Sequence, residues 1–222
     1  MTAAPRTALL AGATGLVGSA LLTSLLASPD YQRVHALVRR TSPHIEPAPR
    51  LRIHEVDFER LPEAFPAAND VFIALGTTLR SAGSEEAFRH VDLDYVVDVA
   101  RAAQSRGATR LGVVSALGAD VHAPIFYSRV KGEMEIAVMR LGYESVVIAQ
   151  PSVLTGDRAE LGQRARSGEM WAARVLRPMS RLMPPNMRPI AARAVAAALL
   201  TAVRMAQPGL TVLKSGAMQA YA

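Results

Sequence analysis

Apolar residues fall along the chain in two rhythms. Short apolar runs at Thr7 to Ala11, Val71 to Leu75 and Ser145 to Ala149, and the more mixed segments Arg33 to Val38, Leu51 to Val56 and Arg110 to Val114, predict strands, the first of them buried. Leu16 to Leu26, Ser84 to Arg106 and Ser128 to Leu141 carry apolar residues at helical spacing and predict helices. Ser28-Pro29-Asp30 should end the first helix, and Gly107 and Gly142 the other two. Strands alternating with helices imply right-handed crossovers and a parallel sheet covered on both faces. The order fits an α/β protein with a doubly wound Rossmann sheet.

Past Pro151 this alternation is lost. Glu169 to Leu182 reads as a helix, Pro184-Pro185 breaks it, and Ile190 to Met205 predicts a strongly apolar helix. Leu210 to Leu213 has the composition of a last strand. The 222 residues contain no internal repeat and no low-complexity linker. One domain over residues 1–222 is expected, with 151–222 a short helical substrate-side extension that is not autonomous.

Charge alters this picture little. The formal net charge is +6, but the basic residues are scattered and no Lys/Arg run exceeds two. A solvated arginine-rich surface is expected, with no nucleic-acid footprint. The chain has no cysteine, which excludes disulfides and cysteine-based metal sites, and no metal site is expected. No apolar stretch is long enough to span a bilayer. A cytoplasmic location is the expectation. Only two of the 25 basic residues are lysine, Lys131 and Lys214.

The first predicted strand runs directly into Gly12-Ala13-Thr14-Gly15-Leu16-Val17-Gly18. Gly12 permits a tight turn, Gly15 lets the backbone approach a pyrophosphate, and Gly18 allows close helix–strand packing. The free N–H groups around Gly15 to Val17 and the helix dipole favour an anion. A GxxGxxG turn between a strand and a helix therefore predicts dinucleotide binding.

The choice of dinucleotide falls near the end of the second strand. An NAD site places Asp or Glu about 20 residues beyond the turn. Here the sequence reads Leu37-Val38-Arg39-Arg40-Thr41-Ser42, with no acid until Glu46. Two guanidiniums suit a 2′-phosphate, so NADP (NADPH) is expected over NAD, with Arg39 the stronger candidate.

Tyr127-Ser128-Arg129-Val130-Lys131 puts a tyrosine and a lysine four residues apart, on one helix face. A phenol with an ordinary pKa of about 10 shuttles protons poorly at neutral pH, and a nearby cation improves it. In a chain that uses arginine almost everywhere, lysine here points to a compact ammonium. Ser115 ends the fifth predicted strand, at the sheet edge where such folds bind ligands, and could hold a substrate oxygen. Ser152 reads as a local cap.

These segments resemble the atypical short-chain dehydrogenases/reductases, in their Tat-interacting-protein-like oxidoreductase group. The resemblance rests on Gly12 to Gly18, Ala74-Leu75-Gly76-Thr77-Thr78 with Ala82-Gly83, Val91-Asp92-Leu93-Asp94-Tyr95, Ser115 to Asp120, Tyr127 to Glu133, and Gln150 to Leu154. It implies that Ser115, Tyr127 and Lys131 are catalytic, and that Thr14 to Val17 contact the pyrophosphate. It also implies that Asp57 lies near the adenine, that Leu75, Gly76 and Thr77 line the riboses, and that Val153 after Pro151 meets the carboxamide. His35, His44, His54, His90 and His122 match no family motif and read as surface or satisfied residues.

The departures concern polar groups. Leu75-Gly76-Thr77 stands where many relatives carry Asn-Ala-Gly, Gln150 replaces an arginine, and an asparagine on the next helix becomes Asp92 or Asp94. The expected function is hydride transfer between NADP and a small carbonyl or alcohol. The alternative is a non-catalytic NADPH sensor that binds a partner through the segment after Gly156, which carries Arg174, Arg177, Arg181, Met179, Met183 and Met187. Oligomeric state stays open between monomer and dimer.

Overall fold

The computed structural model describes residues 5–156 and 183–221. Seven parallel strands form one sheet: β1 (Arg6–Ala11), β2 (Tyr31–Val38), β3 (Leu51–Glu55), β4 (Asp70–Ile73), β5 (Arg110–Val114), β6 (Ser145–Gln150) and β9 (Gly209–Lys214). Their order is β3-β2-β1-β4-β5-β6-β9. A separate two-residue ladder joins β7 (Leu154–Thr155) to β8 (Ile190–Ala191). The apolar runs form the buried central strands, as parallel sheets require, since helices cover both faces.

Helix α1 (Leu16–Ala27) packs on one face against α6 (Ala192–Met205), through a core that includes Leu21, Leu25, Val195, Leu199 and Val203. Arg50 ends α1 by donating to the Leu26 and Ser28 carbonyls, which have no partner inside the helix. The other face carries the one-turn α2 (Leu79–Ala82), α3 (Glu85–Arg89), α4 (Tyr95–Ser105) and α5 (Phe126–Met139), over Leu9, Leu37, Val71, Leu111 and Ile148. Ser84 caps α3 by accepting from the Ala87 N–H.

The single helix expected from Ser84 to Arg106 is interrupted. A π-helical turn, His90–Asp94, joins α3 to α4. The pattern lost after Pro151 also returns: β9 extends the main sheet beside β6, so the C-terminal region rejoins the core. The helix expected over Glu169 to Leu182, and most of the arginine- and methionine-bearing segment, lie outside the described residues.

At the amino ends of the strands, Asp70 is fully buried. It accepts from Arg6 Nε at 2.7 Å and from the Tyr31 hydroxyl at 2.8 Å, with Arg110 Nε 3.8 Å away. This cluster ties β1, β2, β4 and β5 at the end opposite the glycine turn. The connections after β1 and after β4 leave on opposite faces, and a crevice opens between them at the carboxyl ends, where doubly wound sheets bind ligands.

Candidate functional site

The crevice is a cleft of about 580 Å³, within the usual range for small-molecule and cofactor sites. Gly12 leaves β1 at φ +92°, a conformation natural to glycine, and a β-carbon there would lie 2.5 Å from the Ala74 carbonyl oxygen. A β-carbon on Gly18 would lie 2.6 Å from the Gly12 carbonyl carbon, so α1 seats tightly on the turn. The Gly15 N–H donates to the Gly12 carbonyl at 3.0 Å. It is therefore spent within the turn, and the donors left for an anion begin at Leu16. No side chain caps α1, and Gly15, Leu16 and Val17 line the cleft with Gly12 and Thr14.

Leu75, Gly76 and Thr77, after β4, form the facing wall. Arg39 lines both the cleft and an outer recess that it shares with Arg40, Asp57, Glu55 and Thr14. Neither Arg39 nor Arg40 has an ion-pair or hydrogen-bond partner among the described residues. The carboxylates beside them are engaged by backbone: Glu55 accepts from the Thr41 N–H at 3.0 Å and Asp57 from the Glu59 N–H at 3.0 Å. Tyr95 donates to Glu59, and burial, then this bond, pushes its phenol up to about 12.

Ser115, Tyr127 and Lys131 meet at the other end of the cleft. Ser115 follows β5, where its N–H donates to the Ala149 carbonyl at 2.7 Å. The residue is 5% exposed, and its buried hydroxyl has no hydrogen-bond partner among the described residues. Helix α5 starts two residues earlier than expected, so Tyr127 stands in its first turn, its ring 5.5 Å from that of the buried Phe88. Lys131, one turn on, is 3% exposed and donates to Asp92 Oδ1 at 2.7 Å. Burial alone would lower the lysine pKa, but Asp92, with Tyr127 and Glu135, outweighs it and raises it.

Between the two aspartates, the structure selects Asp92. It is 1% exposed, and its Oδ2 accepts from the Thr77 N–H at 2.8 Å. Asp94 is half exposed and pairs with His90 at 3.0 Å. Pro151 and Val153 do not line the cleft. The Pro151 carbonyl accepts from the Leu117 N–H, the Ser152 hydroxyl donates to the Arg188 carbonyl, and the chain turns Leu154 inward instead. Val91 and Tyr95, from the segment that carries the resemblance, also line the cleft, as do Phe58 and Ala87, which carried no motif signal.

The fold and cleft define a dinucleotide-binding Rossmann protein. Residues 12–161 match the NAD(P)H-binding family. The chain belongs to that family, in its atypical short-chain dehydrogenase/reductase branch. It is similar to "Protein FMP52, mitochondrial" of Eremothecium gossypii, with 40% identity over 152 residues, 68% of this chain and 67% of that one. It is also similar to "Protein HTATIP2" of Rattus norvegicus, 38% identical over 167 residues, 73% of this chain and 66% of that one. Among solved structures, MoeE5 in complex with UDP-glucose and NAD superposes with a TM-score of 0.71 at 20% identity, over 93% of this chain and 75% of that one. That last likeness concerns the fold.

The expected cytoplasmic location is corrected by these relatives, for the fungal ones are mitochondrial by name. Lack of cysteine marks a chain without disulfides and does not distinguish one reducing compartment from another. Among the described residues no helix is long and apolar enough to cross a membrane, and no cluster of three metal-ligating side chains occurs.

Proposed function

We propose that the protein is an NADP-dependent oxidoreductase acting on a small carbonyl or alcohol substrate. The observation that carries this reading is the buried Ser115 hydroxyl, unpartnered among the described residues, in the same cleft as Tyr127, Lys131 and the glycine turn. A buried hydroxyl without a partner is costly, and a substrate oxygen would satisfy it.

The residues present fit a dinucleotide. The turn from Gly12 to Gly18 and the uncapped start of α1 would hold the pyrophosphate. Leu75, Gly76 and Thr77 would line the riboses, and Arg39 with Arg40 would grip a 2′-phosphate above Asp57. When bound, the nicotinamide supplies or accepts the hydride.

This chain's own groups handle the oxygen and its proton. Ser115 donates to the substrate oxygen and fixes its position. Tyr127, at the mouth of α5, gives that oxygen a proton during reduction and takes it back during oxidation. Lys131 holds a positive charge beside the phenol and would donate to the ribose. The apolar side chains of Val114 and Leu154 keep this end of the cleft poor in water.

NADPH consumption over a panel of aldehydes and ketones, by the wild type and Tyr127→Phe, tests the assignment. General acid–base catalysis contributes roughly 10²- to 10⁴-fold, and the variant should lose about that much while still binding NADPH. A Tyr127→Phe protein with full activity would overturn it.

A further inference from the structure

Asp92 has no part in the proposed chemistry, yet both of its oxygens are held at the cleft wall. We infer that Asp92 is a positioning residue: its carboxylate holds the Lys131 ammonium at the dinucleotide end of the cleft, a role that rests on the proposed use of Lys131.

The carboxylate sits between two donors. Oδ1 accepts from Lys131 Nζ at 2.7 Å, and Oδ2 accepts from the Thr77 N–H at 2.8 Å. An ionised carboxylate can satisfy both, because each of its oxygens only accepts. Asparagine has the same shape but a single oxygen. Whichever way its amide turned, its NH₂ would face either the ammonium or the Thr77 N–H, leaving two buried donors against each other. The geometry on both sides therefore selects Asp over Asn.

Burial makes the pairing matter. Asp92 is 1% and Lys131 3% exposed, so bulk water cannot substitute for either partner. A buried ammonium without a counter-charge tends to lose its proton. Of the groups facing Lys131, Asp92 contributes most to opposing that loss, ahead of Tyr127 and Glu135. The placement is local in origin. The π-helical turn His90–Asp94 swings Asp92 inward while Asp94 pairs with His90. Gly76 keeps the approach clear, since a β-carbon there would come within 3.3 Å of Asp92 Oδ1.

The test compares wild type, Asp92→Asn, Lys131→Met and the double variant. NADPH affinity is measured by fluorescence from about pH 6 to about pH 10, up to the ordinary pKa of a lysine. Asp92→Asn should bind roughly 10-fold more weakly at neutral pH, equivalent to one strong charged contact. It should weaken further as pH rises, where the wild type holds, because its lysine loses the proton. A merely structural role would not move with pH. The double variant should match Lys131→Met within about 3-fold, as expected if Asp92 acts through the lysine.

An Asp92→Asn profile superimposed on the wild type, or a double variant clearly weaker than Lys131→Met, overturns the inference. If Asp92→Asn does not fold, the double variant decides. There the asparagine can turn its oxygen to Thr77 and its amide into the space the ammonium left. Wild-type protein that binds NADPH but reduces no carbonyl would remove the proposed reaction and leave this affinity test intact. Wild-type protein that binds neither dinucleotide would overturn both.

Discussion

A β-carbon on Gly132 would stand 2.7 Å from the Cα of Asp120, and closer still to its carbonyl carbon. Helix α5 and the loop that follows Ser115 thus touch backbone to backbone, and the Asp120 N–H donates to the Ser128 carbonyl at 3.1 Å. This contact sets the spacing between Ser115 on the loop and Tyr127 and Lys131 on the helix. The glycine that follows the lysine in the YxxxKG segment is there to permit it.

Gly132→Ala should therefore force the loop away from α5. Overpacking of this kind costs about 1–3 kcal/mol, and more when backbone must shift. Urea denaturation should show a lower midpoint, and NADPH consumption should slow further than the loss of folded protein explains. An unchanged midpoint with full activity would mean that the loop yields freely.

Arg39 reaches both the cleft and the outer recess. Calorimetric titration of Arg39→Ala should show NADP affinity falling roughly 10- to 100-fold, the range for losing one charged hydrogen-bonding group, with NAD affinity little altered. Arg40→Ala should lose less, since Arg40 lines only the recess. Equal losses for both dinucleotides would place Arg39 on the pyrophosphate rather than on a 2′-phosphate.

Asp70 anchors the opposite end of the sheet, fully buried among Arg6, Tyr31 and Arg110. Asp70→Ala leaves two partly exposed guanidinium groups and the buried Tyr31 hydroxyl without their acceptor and should cost about 2–3 kcal/mol. Tyr31→Phe removes one hydrogen bond and should cost about 1 kcal/mol. Chemical denaturation monitored by circular dichroism gives both values. Similar losses for the two variants would show that the charge pairing contributes little.

His35 Nδ1 lies 2.7 Å from His54 Nε2 across β2 and β3. Burial, then the neighbouring His54, Arg33 and Arg52, holds the His35 pKa down to about 4, and burial lowers His54 as well. The unfolded chain takes up these protons near the ordinary value of about 6.5. Their contribution to stability is thus complete above about pH 6.5 and is lost as pH falls towards 4. The double variant His35→Phe, His54→Phe should show a smaller drop in urea midpoint between about pH 7 and pH 5. An equal drop would assign the acid sensitivity elsewhere.

The central strands were legible because parallel strands buried on both faces are apolar nearly throughout, whereas the edge strand β3 alternates with polar residues. The glycine turn was legible because its three glycines answer separate steric demands within seven residues. Asp92 could not be separated from Asp94 by reasoning at 3.6 residues per turn, because the π-helical turn breaks that period between them. Val153 was expected where Leu154 lies. Residues 152–153 form a bend, and the chain turns into the cleft only where β7 begins at Leu154. The Arg6–Asp70 pairing joins residues 64 apart and has no local signature.

Of the three glycines in the first turn, two serve the polypeptide itself. Gly12 and Gly18 would each drive a β-carbon into backbone. Gly15 differs: a β-carbon there would sit 3.4 Å from the Gly12 carbonyl oxygen, in ordinary contact, and would project into open cleft. The fold has no need of that glycine. It reserves room for a visitor, so an alanine at this position would leave a protein that melts like its parent but no longer admits its guest.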